Sequence, residues 1–423
     1  MRPLLFLIAM ILAATAIAES PDFEALAAKY EAQAIADRRW AHENAELSFK
    51  EFKTQAWLIA SLLEIPGVEL VEGEWETGVV AMLRGGKPGP IVAWRTDMDA
   101  LPITEETGLP FSCESVDTLR SGRVTGVMHA CGHDLHMAVA LGLTRMLSEV
   151  RDEMPGTLLL ICEPAEEIGA GALTLLGAGL FEDGRLPKCA LALHDHPTIP
   201  LGKVGSHPGP ASANVDGFVL TVNGRGGHGA YPHKAIDPVS LAAKMVLAFE
   251  SIVAREMSVN NPCVISVGRI EGGAKSNVIP DEVVIEATVR SRDDETRNAL
   301  AEKIERTVNG LAAAVGAPEP LLEYYFGTAA GYNNPELVAE CREVFRRVLG
   351  AENEIIYPAA MGGEDFSYYG REVPGFQFRL GVGRPDREMT LHRSDLDIPE
   401  EAIVIGLRVA TEVVWDQMAE PGN

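Results

Sequence analysis

Gly205-Ser-His-Pro-Gly-Pro-Ala-Ser212 is the stretch at which the sequence changes style. Glycine admits turns that other residues resist and proline removes a backbone donor, so this Gly/Pro-rich segment reads as a hinge or domain crossing. Upstream of it, residues 78–83, 90–95, 156–162 and 189–194 are short apolar runs bounded by Gly, Pro or charge, the pattern of buried strands in an α/β sheet. Between them, Leu135, Val139, Gly142, Leu143, Met146 and Val150 recur at three- to four-residue spacing, which predicts a helix packed on that sheet. Two more helical stretches, 23–50 and 54–63, come first. Downstream the order is strand 215–222, helix 238–255, strands 263–270 and 283–290, helix 294–315 and strand 321–326. This βαββαβ order is the split ferredoxin-like unit. Gly327-Thr-Ala-Ala-Gly-Tyr-Asn-Asn334 reads as the return crossing, after which helix 335–349 and strand 376–380 resume the earlier style. The expectation is therefore an α/β chain in which residues 209–326 form a domain inserted into another made of 19–208 and 327–423.

A length of 423 residues fits two domains, and 47% hydrophobic with 23% charged residues is ordinary globular composition. The formal net charge of −25 repels phosphates, so nucleic acid is excluded as the expected partner. Residues 1–18 carry Arg2, an apolar run over 4–14 and the ending Ala16-Ile17-Ala18, the pattern of a signal peptide cleaved after Ala18. The run is shorter than the ~20 residues a membrane span needs. An exported, periplasmic or secreted chain, with no membrane attachment after cleavage, is expected. The six cysteines (113, 131, 162, 189, 263 and 341) are scattered in a chain large enough to need no staples, so buried free thiols are the default reading for all but Cys131.

Chemically suggestive side chains follow the carboxyl ends of predicted strands, where open α/β sheets hold ligands. Asp97 and Asp99 follow one strand, Glu163, Glu166 and Glu167 the next, His194 ends a third, and His392 lies beyond the last; Cys131 and His133 stand just before a helix. Thiolate, imidazole and carboxylate are the donors that bind Zn²⁺ and similar ions. Cys131, His133, Glu167, His194 and His392 would be enough for two adjacent ions, leaving Glu166 free as a base. Any one of these histidines, taken singly, is more commonly a hydrogen-bonded surface or core residue. Gly224-Arg-Gly-Gly-His-Gly229 matches the dinucleotide fingerprint in form only, because Pro232 intervenes and no helix opens after the last glycine.

Six blocks, Trp94-Arg-Thr-Asp-Met-Asp-Ala-Leu-Pro102, His129-Ala-Cys-Gly-His-Asp134, Pro164-Ala-Glu-Glu167, Gly227-His-Gly-Ala-Tyr-Pro-His233, Ser276-Asn-Val-Ile-Pro-Asp281 and Gly363-Glu-Asp-Phe-Ser367, together resemble the M20 metallopeptidase superfamily. The match is to its amidohydrolase branch, which contains hippurate, N-acyl amino acid and auxin-conjugate hydrolases. The resemblance implies a zinc-exopeptidase-like catalytic domain with the ferredoxin-like unit as lid and dimerisation domain, and a homodimer. It implies two divalent ions (Zn, Mn, Co or Ni) on Cys131, His133, Glu167, His194 and His392, with Asp99 orienting the site. Glu166 would be the general base, and His228 would stabilise the oxyanion, acting across a dimer. Asn277 and Arg290 would bind substrate, Arg290 holding the substrate's carboxylate in a guanidinium fork.

Three functions follow: an amidohydrolase acting on a small N-acyl amino acid, a peptidase acting on dipeptides or short peptides with the same water attack, and a dimeric binding protein without catalysis. His136, His233 and Asp134 are expected to support or pack, His129 either to lie near the site or to cap its turn, and His196 and His207 have no claim. The family's usual Gln and Val are replaced by Glu163 and Asp195, two extra carboxylates that bear on metal or substrate choice.

Overall fold

The computed structural model describes residues 21–119 and 121–419; the expected leader lies outside them. The larger sheet has eight strands in the spatial order Val68–Leu70, Val79–Arg84, Pro155–Glu163, Lys87–Asp97, Cys189–Pro200, Gly375–Gly383, Val204–Ser206, Glu354–Ile356. The four from Pro155–Glu163 to Gly375–Gly383 are mutually parallel. Both faces are covered, which is why these strands read as continuous apolar runs. Alternation still sorts the side chains: Val92 and Trp94 pack among the helices Phe23–Glu43, His133–Glu149 and Glu401–Ala419, while Ala93 packs with Ala172, Leu175, Leu180 and Tyr369 on the opposite face. All six cysteines are free thiols, five of them buried. Among the described residues no helix is long and apolar enough to cross a membrane.

The inserted unit is a four-stranded antiparallel sheet in the order Cys263–Glu271, Glu282–Ser291, Asn214–Asn223, Leu321–Tyr325. Helices Pro238–Ser251 and Asp294–Ala314 cover one face, where Val283, Ile285, Ala287 and Val289 meet Phe249, Leu300 and Ile304. Alternation sends Thr288 and Arg290 to the other face. The outgoing and returning crossings pair with each other, Tyr332 opposite Pro210 and Asn333 opposite Gly209.

Several boundaries differ from expectation for local reasons. The first helix stops at Glu43, not 50, because Asn44 closes it by donating to the Trp40 and Ala41 carbonyls, and Ala45 and Leu47 then bury against Ala100. The helix expected to 255 ends as an α-helix at Ser251 and adds one π turn, Ile252–Glu256. Gly205 and Ser206, expected within a crossing, belong to the strand Val204–Ser206 of the main sheet. The Gly224–Gly229 segment forms only a two-residue ribbon, Gly227–His228 against Val278–Ile279.

Candidate metal centre and substrate cavity

The donors converge at the carboxyl ends of the central strands. Cys131 Sγ lies 3.6 Å from His194 Nε2 and 3.3 Å from His392 Nε2, and Glu167 Oε1 lies 3.8 Å from His133 Nε2 and 3.7 Å from His392 Nε2. Metal–ligand bonds of ~2.0–2.3 Å at tetrahedral angles put neighbouring donors about 3.3–3.8 Å apart, so all four separations match shared cation ligands, and the two between nitrogen and Glu167 oxygen are too long for hydrogen bonds. His133 Nε2 and Glu167 Oε1 are buried without a hydrogen-bond partner. A buried lone pair left unmatched costs about 1–3 kcal/mol. A divalent cation between them removes that cost, so the residues present fit a metal.

Second contacts aim the ligands. His133 Nδ1 donates to the Asp99 carbonyl (2.8 Å) and His194 Nδ1 to the Asp195 carbonyl (2.7 Å), which leaves each Nε2 as the lone-pair nitrogen. The Asp99 carboxylate accepts from the backbone N–H groups of Glu166 (3.1 Å) and Glu167 (3.2 Å) and from the Ser48 hydroxyl (2.6 Å). Asp99 therefore positions the glutamate pair without facing the cavity. Ala165, just before that pair, and His392 hold φ of 55° and 64°, a left-handed backbone that non-glycine residues adopt at a cost of about 1–3 kcal/mol. The His392 N–H donates to the Ala130 carbonyl (2.7 Å), tying it to the Cys131 turn.

Glu166 lies within ligand distance of His133 and Glu167. Burial, then the nearby Glu364 and Glu167 carboxylates, push it well above the usual carboxylate range. Burial and Glu167 push the Cys131 thiol up as well, and a bound cation would reverse both effects.

Asp97 is held by Arg95 Nη1 and His136 Nδ1, both at 2.6 Å. The two unusual carboxylates are equally committed. Glu163 forms a two-pronged pair with Arg95 (2.9 and 3.1 Å), and Asp195 binds His136 Nε2 (3.0 Å). Neither lines the cavity, but Asp195 Oδ1 lies 3.4 Å from His194 Nδ1 and so bears on that donor ring, whereas Glu163 is taken up by Arg95. His129 lies near the site, its ring 6.4 Å from that of His133, and does not cap its turn: both ring nitrogens are buried without a partner among the described residues, and burial lowers its pKa to about 4.

A cavity of ≈ 610 Å³ opens in front of Cys131, Glu166, Glu167, His194 and His392, a size suited to a small conjugate. Arg290 lines it from the inserted sheet. His228 and Asn277 do not; both are exposed on the Gly227–His228/Val278–Ile279 ribbon and its flank. Asp134 and His136 are buried supports, whereas His233 is exposed on the inserted unit.

Sequence reading missed three residues here. His196, given no role, lines the cavity and shares a 2.9 Å hydrogen bond with the Tyr357 hydroxyl. Arg379 lines it from the strand Gly375–Gly383. Glu51 accepts from the Ala165 N–H (2.9 Å) and braces the glutamate loop. Only His196 carried a legible signal, its place two residues beyond His194 on one strand face.

A family model described as "Peptidase family M20/M25/M40" matches residues 93–416. An N-acetyldiaminopimelate deacetylase of Brevibacillus brevis is 35% identical over 374 residues, 88% of this chain and 95% of the relative. An N-acetylcysteine deacetylase of Bacillus subtilis is 34% identical over 380 residues, 89% and 94% of the two chains. The crystal structure of a Bacillus subtilis dinuclear metal-binding peptidase from the M20 family superposes with a TM-score of 0.78 at 30% identity, covering 92% of this chain and 98% of that one.

Proposed function

The chain belongs to peptidase family M20/M25/M40, and on that footing we propose that it hydrolyses the amide of an N-acyl amino acid or similar small conjugate, releasing a carboxylate and a free amino acid. The observation that carries this reading is the convergence of Cys131, His133, Glu167, His194 and His392 beside an uncommitted Glu166. Two divalent cations on those five donors would polarise the substrate carbonyl and acidify the attacking water.

The chain's own groups do the rest. Glu166 takes one proton from the water as its oxygen bonds to the carbonyl carbon, then delivers it to the leaving nitrogen as the C–N bond breaks. Arg290 offers a guanidinium fork to the substrate carboxylate. Asp99 fixes the direction from which Glu166 acts.

His228 and Asn277 lie outside this chain's cavity, which supports a homodimer in which the exposed ribbon of one chain completes the other's site and His228 steadies the oxyanion. Export through cleavage after Ala18 belongs to the same proposal, and the N-terminal residue of the mature chain tests it.

The deciding experiment is turnover of hippurate, N-acetyl amino acids and dipeptides after chelation and after adding back Zn²⁺, Mn²⁺, Co²⁺ or Ni²⁺. Metal-dependent hydrolysis of the N-acyl compounds is expected. Preference for dipeptides moves the reading to a peptidase, and turnover that survives complete metal removal ends it.

A further inference from the structure

Of the two arginines lining the cavity, Arg379 is the one that the reaction just described leaves unused. It stands on the strand Gly375–Gly383 in register with His194 on the neighbouring parallel strand, so its side chain leaves the sheet on the same face as that ligand. It is half-buried and lines the cavity, yet no described carboxylate or backbone group pairs with it. The contrast with Arg95 is sharp. That guanidinium is buried and meets four carboxylates, those of Asp97, Glu163, Glu364 and Asp365. In a chain with 61 acidic and 36 basic side chains, a partly desolvated arginine with no acid partner marks a place where an anion arrives from outside. Arg290 lies on the inserted unit and Arg379 on the main sheet, so two guanidinium groups reach one cavity from different sheets.

We propose that Arg379 is a specificity-determining residue that selects substrates carrying a second carboxylate, in addition to the α-carboxylate shared by all N-acyl amino acids. This rests on the amide-hydrolase reading above. The second carboxylate can belong to the amino acid side chain or to the far end of a dicarboxylic acyl group; the recognising chemistry is the same, a planar fork of donors on two oxygens.

Two matched pairs separate the sources. N-acetylglutamate against N-acetylglutamine isolates the side chain, and N-succinylleucine against N-butanoylleucine isolates the acyl end. The native chain should favour the dicarboxylate in one pair by about tenfold or more in kcat/KM, and Arg379→Gln should erase that ratio. Arg379→Glu should reverse it, with N-acetyllysine becoming the better substrate. Calorimetric binding of the same four compounds to Glu166→Gln, with and without Arg379→Gln, gives a readout that needs no turnover. Melting curves of each variant check the fold. Equal preference within both pairs in the native chain overturns the proposal, as does a ratio that survives Arg379→Gln, or an equal loss for all four compounds, which would put Arg379 on the shared α-carboxylate. If none of the four is hydrolysed, the amide-hydrolase reading fails, and the binding ratios still decide whether Arg379 selects dicarboxylates.

Discussion

Glu166 and Glu167 are adjacent yet do different work because the backbone around Ala165 turns through a left-handed residue and Asp99 pins both N–H groups. Glu167 is aimed at His133 and His392, and in the proposed reaction Glu166 moves the proton. Glu166→Gln keeps shape and hydrogen bonding but cannot accept a proton. Turnover should fall by about 10²- to 10⁴-fold, while metal content by mass spectrometry stays near two ions per chain. Cys131→Ala removes the sulfur within reach of both His194 and His392. Bound metal should fall below two per chain, and activity should return only at raised metal concentration; a full complement of tightly bound metal would remove Cys131 from the ligand set.

At the scale of an element, the strand Lys87–Asp97 carries a cation where its carboxyl end enters a cluster of acids. Burial disfavours a charged Arg95, but Glu163, Glu364 and Asp97 outweigh it and hold the guanidinium protonated. Arg95→Met leaves those carboxylates buried without their counter-charge. Breaking such a group typically costs about 3–5 kcal/mol, so denaturant midpoints should drop sharply. Glu163→Gln, which removes one negative charge and keeps the hydrogen-bonding shape, should cost much less. Equal losses in the two variants would show that charge balance is not what this strand end supplies.

For the whole molecule, pH stability has an identifiable contributor away from the metal ligands. His42 is buried between Asp134 (2.9 Å) and Glu105 (3.0 Å). Burial opposes its charge, yet the two carboxylates raise its pKa from 6.5 to about 9. A folded-state pKa above the unfolded one stabilises the fold fully below pH 6.5, and that contribution is lost as pH rises through about 9. Thermal midpoints of the native chain should decline across this window, and those of His42→Gln should decline less. A second test at this scale concerns the exposed ribbon. Mixing Glu166→Gln with His228→Ala chains should restore activity that neither has alone, because a mixed dimer holds one site with both groups intact. Failure to restore it would place His228 outside the reaction.

The sequence by itself marked the break between the two sheet systems and the set of candidate metal donors. Gly/Pro-rich crossings interrupt hydrophobic periodicity, and donor side chains cluster at strand ends, both of which are local features of the text. Only the tertiary structure decided where the remaining charges go. Glu163 and Asp195 look free in the sequence and are neutralised in the fold by Arg95 and His136, whereas Arg379 looks like an ordinary strand residue and faces the cavity without an acid partner among the described residues. Pairing of this kind depends on which strands become neighbours and in what register. Residues such as Arg379 and His194, 185 positions apart, meet only when parallel strands align, and no periodicity within either strand records that alignment.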